Sequence, residues 1–315
     1  MEQFTVLCLR YTVEAQTSIE FGIQAGAQLR GGLYSALMEM MHQPGVHDHD
    51  SAHNLHCPVC RMMKRETPNT GRGQDVPRPF GLIPPGLGTP EQSFRTNTGE
   101  HFSFGLNLYG DTALNYTLFT LAVSRLGQTG VGFGRGRFFL TGIEAFNPFT
   151  GENETLMSEG GHSRMPELTI TSSHVRSYAT RLPDNQLTLQ FQTPTRLIER
   201  GQLVKTPRFH PLMARLLERL EALEREYADG TSWKERYLTL TQSAQYMQVI
   251  NDKTRWVEVR SGSRRQRRLT PISGFVGEAS YTGNIALFKE WLVWGTLLQV
   301  GKNVVKGNGV YQIAI

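Results

Sequence analysis

The fold of this chain follows most directly from its C-terminal stretch, residues Ser273–Ile315, which reads SGFVGEASYTGNIALFKEWLVWGTLLQVGKNVVKGNGVYQIAI. Its pattern predicts a strand, a helix over Asn284–Gln299, a glycine-rich loop and a final strand over Val310–Ile315. Glycine lets a backbone approach a ligand closely, and lysine supplies charge for a phosphate. The loop therefore predicts an anion-binding site, although an ordinary loop with solvated lysines fits the same pattern. Its glycines and lysines are Gly301, Lys302, Lys306, Gly307 and Gly309.

Upstream of that stretch, the second half of the chain predicts a complete β-α-β-β-α-β unit. Gln186–Thr193 alternates as a strand does, and Pro207–Tyr227 has the apolar stripe of an amphipathic helix. Thr254–Arg260 and Leu269–Tyr281 predict two strands joined by the arginine-rich tip SGSRRQRR. The final helix and strand then complete the unit.

The first half of the chain predicts the same order of elements. Strands follow from β-forming residues and alternation, and helices from apolar residues at helical spacing. The strands are Phe4–Ala15, a short one within Pro77–Gly86, His101–Tyr109 and Arg137–Phe146, and the helices are Gln28–His42 and Ala113–Leu126. A second glycine-rich loop, GQTGVGFGRG, follows the second helix and places Arg135 and Arg137 beside its glycines.

The duplicated order predicts an α+β fold of two tandem ferredoxin-like βαββαβ domains. We place the N-terminal domain at 1–148, with an inserted loop rich in histidine and cysteine at 43–76. A polar linker is predicted at 149–184 and the C-terminal domain at 185–315. The glycine-rich loops are not dinucleotide-binding fingerprints, because no βαβ unit surrounds them.

The composition limits the class of protein. The chain has 315 residues, of which 39% are hydrophobic, so one large or two medium globular domains are expected. The net charge of +5 is small, so its distribution decides its meaning. An odd, small number of cysteines favours a reducing cytoplasm over a disulfide framework. We expect neither a signal peptide nor a membrane span from the sequence.

The arginine-rich tip predicts contact with nucleic acid. A protruding hairpin that carries several arginines suits the phosphate-lined groove of a duplex or the base of a stem-loop. A solvated loop that keeps the protein soluble is the alternative. The arginines in and beside the tip are Arg260, Arg264, Arg265, Arg267 and Arg268.

The string HNLHCPVC within the inserted loop is a candidate metal site. It offers the imidazoles of His53 and His56 and the thiolates of Cys57 and Cys60, which form the ligand set of a tetrahedral zinc site. The adjacency of His56 and Cys57 makes four ligands from one stretch awkward. A loop with half-buried cysteines fits the same residues.

The histidines also suit acid–base chemistry, because imidazole titrates near neutral pH. His42 closes the first predicted helix, and Tyr34 stands two turns earlier on nearly the same face. We therefore take these two residues as a candidate acid–base pair. His47 and His49 in the following loop are alternative bases, and Tyr34 also fits a packing role.

Several short motifs, in order, resemble one known family. They are LRGGLYSALMEMM (29–41), RPFGLIPP (78–85), GVGFGRGRFFL (130–140), FQTPTRLIERGQLVKTPRFHPLMARLLERL (191–220) and VRSGSRRQRRLTPISGFVGEASY (259–281). With these motifs the chain resembles the CRISPR-associated repeat-RNA-processing endoribonucleases of the RAMP superfamily. The resemblance covers most of the chain and implies two RAMP (RRM-like) domains.

The resemblance also implies an activity. It implies binding of the CRISPR repeat stem-loop and one metal-independent cut by a ribose 2′-hydroxyl, so no cofactor is required for catalysis. A structural zinc is expected only from the HNLHCPVC residues themselves. The implied partners are repeat or guide RNA and other CRISPR effector subunits. The implied RNA-binding residues are the arginines of the tip, both loop lysines, Gly301, Gly307, Arg135 and Arg137.

Two departures from the family pattern keep other functions open. Ser35 stands where many relatives carry a histidine in the first helix, and the final loop reads NVVKGNG instead of a loop with hydroxyl and aromatic residues. A catalytically inactive RAMP subunit that binds guide RNA in an interference complex is the alternative function. A zinc-stabilised protein adaptor built on HNLHCPVC is a third.

Overall fold

The computed structural model describes residues 1–41, 53, 57–63, 76–88, 92–228, 230, 234–263 and 268–314. Its helices are α1 (Ala25–Met41), α2 (Pro58–Met63), α3 (Tyr116–Thr129), α4 (Ser172–Ala179), α5 (Phe209–Tyr227), α6 (Lys234–Ser243) and α7 (Lys289–Leu298). The strands of the first half are β1 (Val6–Ala15), β2 (Ile19–Phe21), β3 (Phe80–Ile83), β4 (Phe94–Thr96), β5 (His101–Tyr109), β6 (Phe138–Phe146) and β7 (Asn153–Met157). Those of the second half are β8 (Gln186–Thr195), β9 (Leu197–Glu199), β10 (Gln202–Val204), β11 (Gln248–Val257), β12 (Arg260–Ser263), β13 (Arg268–Pro271), β14 (Gly274–Thr282) and β15 (Tyr311–Ala314).

The first half forms a five-stranded antiparallel sheet in the order β3-β5-β1-β6-β7. β1 lies at its centre, where Arg10 stands opposite Gly105 of β5 and Glu144 of β6. Without the added edge strand β7, this is the strand order of a ferredoxin-like unit. α1 and α3 cover one face, because their apolar stripes pack against the inward side chains of β1; the core there includes Leu7, Leu9, Tyr11, Leu29, Leu33, Leu37, Phe119 and Val123.

The second half repeats the arrangement in a four-stranded sheet ordered β11-β14-β8-β15. Phe191 of the central strand β8 stands opposite Gly277 of β14 and Tyr311 of β15. α5 and α7 supply apolar residues to the core of this unit, among them Leu212, Leu216, Leu220, Leu292 and Trp294. The prediction of two tandem ferredoxin-like units is therefore confirmed.

The arginine-rich hairpin differs from its prediction. The sheet strands β11 and β14 pair only from Gln248 to Val257 and from Gly274 to Thr282, and β12 and β13 form a separate two-stranded ribbon beyond them. The break lies at Val259, whose N–H is bound by the Ser273 hydroxyl at 3.0 Å rather than by the opposite strand. Because a side-chain oxygen takes that donor, the regular backbone ladder of the sheet is interrupted at this point.

Several short elements were not predicted from the sequence. The segment predicted as a linker contains β7, which extends the first sheet, and α4, which packs against α7. The inserted loop contains α2. Another helix, α6, follows α5 in a stretch where no element was predicted from the sequence. Short helices with little apolar periodicity give a weak pattern, so only packing reveals them. The domain boundaries at 148 and 185 stay a prediction.

The two units share buried contacts. Val6 and Cys8 point away from α1 and α3, because alternate residues of a strand face opposite sides, and they join the core of the second half. The Asn107 amide donates to the Leu297 carbonyl at 2.7 Å, and the Gln299 amide donates to the Leu82 carbonyl at 2.7 Å. Thus α7 and the loop after it are fastened to the first sheet. Over the ranges given above, no helix is both long and apolar enough to cross a membrane.

Candidate functional site

The C-terminal glycine-rich loop connects α7 to β15. Its backbone is left-handed at Gly301, Gly307 and Gly309, with φ of 90°, 81° and 76°. A Cβ at Gly301 would lie 2.4 Å from the Arg196 carbonyl oxygen, and one at Gly309 would lie 2.0 Å from the Val300 carbonyl oxygen. These two glycines therefore close the loop on the protein itself, which is a different reason from the predicted approach of a ligand.

The same loop lies against α1 of the first unit. A Cβ at Gly26 would lie 2.2 Å from the Lys306 carbonyl oxygen, and one at Gly307 would lie 2.9 Å from Cδ of Pro84. The two backbones approach this closely only because Gly26 has no side chain. We call this meeting place the seam; its residues are Gly26, Arg30, Tyr34, Pro84, Ser261, Lys306 and Gly307.

Positive charge collects at the seam. Burial, and then the nearby charge of Arg30, lowers the pKa of Lys306 below its ordinary value. Burial likewise lowers the pKa of Arg30, and the charge of Arg78 adds to this effect. Among the residues that the structure describes, no carboxylate forms an ion pair with Arg30 or Lys306. Two partly buried cations that no described carboxylate neutralises are typical of a site that accepts an anion.

Tyr34 lies within this positive cluster. The Arg30 guanidinium stands over the Tyr34 ring, 4.9 Å from its centroid, as expected for residues four apart on one helix face. Arg30 Nε is buried, and no atom in the described part of the chain forms a hydrogen bond with it. A buried donor without a partner is costly, so this atom is available to a bound ligand. The contact also holds the Tyr34 ring against α1.

The base of the arginine ribbon reaches the seam as well. Lys306 Nζ lies 3.4 Å from the Ser261 hydroxyl on β12. The Asn308 amide donates to the Ile272 carbonyl at 2.7 Å. Val259 and Ile272 at the base of the ribbon form a small apolar cluster against which Ala27 of α1 packs. Two segments that the sequence singled out separately are therefore neighbours in the fold.

Some predicted RNA-binding residues lie elsewhere or outside the described residues. Arg135 and Arg137 are exposed on the other glycine-rich loop, which bonds to β2 through the Phe133 N–H and the Glu20 carbonyl. Lys302 and Arg260 are exposed near the seam. Outside the described residues lie Arg264, Arg265 and Arg267 and the side chain of Arg268.

The candidate catalytic residues are divided in the same way. Tyr34 is half-buried at the seam, whereas His42, His47 and His49 lie outside the described residues. α1 ends at Met41, so His42 is the next residue in the chain. Arg30 was not predicted from the sequence, although its position four residues before Tyr34 places both on one helix face. No local signal pointed to Ser261 or Gly26.

The candidate zinc ligands come together in part. His53, Cys57 and Cys60 each have a ligand atom within 4.8 Å of those of the other two, and His56 lies outside the described residues. Cys60 is buried, and the other two residues are half-buried. This cluster is on the inserted loop and takes no part in the seam contacts above.

Two family models match the chain. One, described as an N-terminal domain, matches residues 4–169, and the model of the CRISPR-associated endoribonuclease Cas6 matches residues 189–311. In the search of curated proteins, nothing matches. Together the two family models account for most of the sequence.

Three solved structures illustrate the fold. The chain is similar to a Cas6 (TTHB231) product complex, with a TM-score of 0.61, 14% identity and coverage of 98% of this chain and 99% of that one. Thermus thermophilus Cas6 (TTHB231) gives a TM-score of 0.56 and 13% identity, with 99% of each chain covered. A partial Cas6-RT-Cas1–Cas2 complex gives a TM-score of 0.60 and 12% identity, with 99% of this chain and 46% of that one covered. At these identities the likeness establishes the fold.

Two tandem ferredoxin-like units define the class of fold, which this chain shares with the similar Cas6 structures. The match of residues 189–311 to the Cas6 family model is more specific than the likeness of fold. The chain belongs to the family whose N-terminal-domain model matches residues 4–169, and residues 189–311 match the model of the CRISPR-associated endoribonuclease Cas6.

Proposed function

We propose that the chain binds CRISPR repeat RNA at the seam and cuts it once, by attack of a ribose 2′-hydroxyl on the neighbouring phosphate. No metal ion takes part in this chemistry. The Cas6 family match supports an RNA-cleaving activity. The similar structures include a Cas6 product complex and a Cas6-RT-Cas1–Cas2 complex, which supports RNA and other CRISPR proteins as partners. A cytoplasmic location stays a prediction.

The positive charge at the seam carries this proposal. Arg30 and Lys306 belong to different units of the fold, and both are partly withdrawn from solvent, while no carboxylate within the described ranges pairs with either of them. A phosphate supplies the missing negative charge and accepts hydrogen bonds from both side chains. The arginine ribbon beside Lys306 extends the positive surface toward a duplex or stem-loop. The scissile phosphate is therefore assigned to the seam.

The chemistry needs a base, an acid and charge stabilisation. His42 takes the proton from the 2′-hydroxyl, the 2′-oxygen bonds to phosphorus, and the bond from phosphorus to the 5′-oxygen breaks. The leaving 5′-oxygen receives a proton from Tyr34, and Lys306 and Arg30 stabilise the charge that develops on the phosphate oxygens. The products carry a 2′,3′-cyclic phosphate and a 5′-hydroxyl. His47 and His49 are the alternative bases.

The test uses purified full-length protein, its own repeat RNA and EDTA, with the fold followed by circular dichroism. We expect a single cut in EDTA and a cyclic phosphate on the upstream fragment. A substrate with a 2′-deoxyribose at the cut position should bind equally well and stay intact. A cut that requires added Mg²⁺ while the protein stays folded contradicts the mechanism.

His42→Ala tests the assignment of the base. We expect cleavage to slow by about 10²–10⁴-fold, the usual contribution of general acid–base catalysis, with RNA affinity unchanged. Single-turnover cleavage and filter binding measure the two effects separately. His162→Ala is the control, because His162 is an exposed histidine outside the seam and the inserted loop. If the His42→Ala variant cleaves at an unchanged rate, the general base is His47 or His49 instead.

A catalytically silent RNA-binding subunit is the second candidate function. Ser35 on α1 favours it, because this exposed residue stands where many relatives carry a histidine. Its hydroxyl donates to the Gly31 carbonyl at 3.2 Å, a bond internal to the helix. Tight binding of repeat RNA without a cut, in EDTA and in Mg²⁺ alike, supports this candidate and contradicts the first.

A further inference from the structure

We propose that His53, Cys57 and Cys60 bind a zinc ion that fastens the inserted loop to the first unit. One ligand atom from each of the three residues lies within 4.8 Å of the other two. An imidazole and two thiolates are donors that Zn²⁺ prefers in tetrahedral protein sites. This site has no part in RNA cleavage at the seam.

The three residues share one face of a helical turn. They stand at positions i, i+4 and i+7, which recur on the same side of an α-helix. The Cys57 N–H donates to the His53 carbonyl at 2.8 Å, and the Arg61 N–H donates to the Cys57 carbonyl at 2.9 Å, both with α-helical spacing. The backbone therefore presents the imidazole and the two thiols in one direction.

The separation of the ligand atoms suits a metal ion. Zn–S bonds of about 2.3 Å and Zn–N bonds of about 2.0 Å place tetrahedral ligand atoms about 3.5–3.8 Å apart. Separations of up to 4.8 Å therefore need to shrink by about 1 Å, which rotation about the side-chain bonds provides. This set of three also removes the difficulty with adjacent His56 and Cys57, because His56 is not required. A water molecule or another side chain takes the fourth position.

The short helix α2 depends on contacts with the rest of the protein for its stability. It spans only six residues, and a helix of this length is not stable by itself. Arg61 pairs with Asp111 at 2.7 Å and stands over the Tyr227 ring, 5.5 Å from its centroid. α2 thus lies where the first unit meets α5, and a metal ion at the start of α2 holds the middle of the inserted loop at that junction.

A redox role for the Cys57-x-x-Cys60 pair is the competing explanation. Thiol exchange requires an accessible sulfur, but the Cys60 side chain is fully buried, with 0% exposure. A disulfide also leaves the nearby imidazole of His53 without a function. The burial of Cys60 and the third donor therefore favour a metal ion.

Zinc content tests the proposal. We expect tag-free, full-length protein grown with zinc to retain about one zinc ion per chain by mass spectrometry. The double variant Cys57→Ser, Cys60→Ser should lose this zinc. Cys8→Ala is the matched control, because Cys8 is buried outside the cluster and burial raises the pKa of its thiol. Equal zinc in the double variant and the wild type would show adventitious binding to other histidines and overturn the proposal.

Cobalt substitution keeps the test valid if the double variant does not fold. Wild-type protein with Co²⁺ in place of zinc should show thiolate charge-transfer and tetrahedral d–d absorption bands, which the Cys8→Ala control retains. A wild-type spectrum without these bands, or a Cys57–Cys60 disulfide found by peptide mass spectrometry under reducing preparation, contradicts the site. Neither outcome bears on cleavage of repeat RNA, which is measured separately.

Discussion

At the scale of the residue, Lys306 connects stability with RNA binding. Its ammonium group is partly withdrawn from water and stands near Arg30, and no carboxylate of the described ranges pairs with it. Such a lysine lowers the stability of the free protein and is useful only when an anion arrives. The stability that the protein loses through Lys306 therefore supports the proposal that this residue binds an anion.

The variant Lys306→Met should stabilise the free protein and weaken RNA binding. The folded-state pKa of Lys306 is lowered, so the unfolded state binds more protons between that pKa and 10.5. Wild-type stability therefore rises with pH through this interval, and below it the variant is the more stable protein. Urea unfolding at several pH values and RNA titration measure both effects.

The control for Lys306→Met is Lys302→Met, which replaces an exposed lysine of the same loop. We expect this control to leave the free energy of unfolding nearly unchanged at all pH values, because an exposed ammonium group carries little desolvation cost. A fall in stability for Lys306→Met at neutral pH would show that Lys306 has an unrecognised stabilising partner.

At the scale of the element, α1 and the C-terminal glycine-rich loop are joined by a close backbone contact. Their contact depends on Gly26, where no side chain separates the α1 backbone from the Lys306 carbonyl. The contact sets the position of Arg30 and Tyr34 relative to Lys306. A displacement of α1 by an ångström should therefore affect RNA binding without removing any charged group.

The pair Gly26→Ala and Gly31→Ala tests this contact. A Cβ at Gly26 would lie 2.2 Å from a backbone oxygen, so we expect a loss of about 1–3 kcal/mol in unfolding free energy and weaker RNA binding. At Gly31 nothing lies within 4 Å, so alanine should stabilise α1 by about 0.5–1 kcal/mol. Thermal unfolding and filter binding give the two quantities. Equal effects of the two variants would contradict the close approach.

The arginine ribbon should determine the salt dependence of RNA binding. Replacement of its tip arginines by glutamine should reduce the slope of log affinity against log salt by about 0.7–0.9 for each RNA phosphate that the variant no longer neutralises. The tip arginines are Arg264, Arg265, Arg267 and Arg268. The slope is measured by titration at several salt concentrations.

A second quadruple variant controls for the loss of net charge. It replaces arginines that already pair with carboxylates elsewhere in the fold, namely Arg164, Arg176, Arg215 and Arg225. We expect its salt slope to stay close to that of the wild type. If both quadruple variants show the same reduction in slope, RNA senses net charge rather than the ribbon.

At the scale of the whole molecule, the two units should unfold together. Asn107 in the first sheet holds the Leu297 carbonyl of α7, and its loss should cost about 1–3 kcal/mol because a buried acceptor loses a donor. All four tryptophans lie in the second half, so their fluorescence reports that unit; they are Trp233, Trp256, Trp291 and Trp294.

The variant Asn107→Ala should therefore lower the urea midpoint seen by tryptophan fluorescence, although the change is in the first unit. Circular dichroism should give the same midpoint. Thr12→Ala is the control, because Thr12 is half-buried on the first sheet and its hydroxyl meets Ser103 away from α7. A shift in circular dichroism without a shift in fluorescence would mean that the units unfold independently.

Local sequence patterns were enough to predict the two βαββαβ units, the two glycine-rich loops and three residues of the His/Cys cluster that lie together. They were enough because the periods of strands and helices, glycine punctuation and ligand spacing are written in neighbouring residues. His101–Tyr109 was predicted to the residue, and α3 to within three residues at each end. The same local patterns supplied Lys306 and Tyr34 as candidates.

Only the tertiary structure decided that Arg30 and Lys306 stand together. The two residues are far apart in sequence and belong to different units, and their approach depends on how α7 packs on the first sheet and on the absence of a side chain at Gly26. No local period encodes such a contact. The glycine-rich loop after α3 has a sequence similar to that of the C-terminal loop, but the fold places it beside β2. Its Arg135 and Arg137 are therefore exposed to solvent there and are not part of the seam.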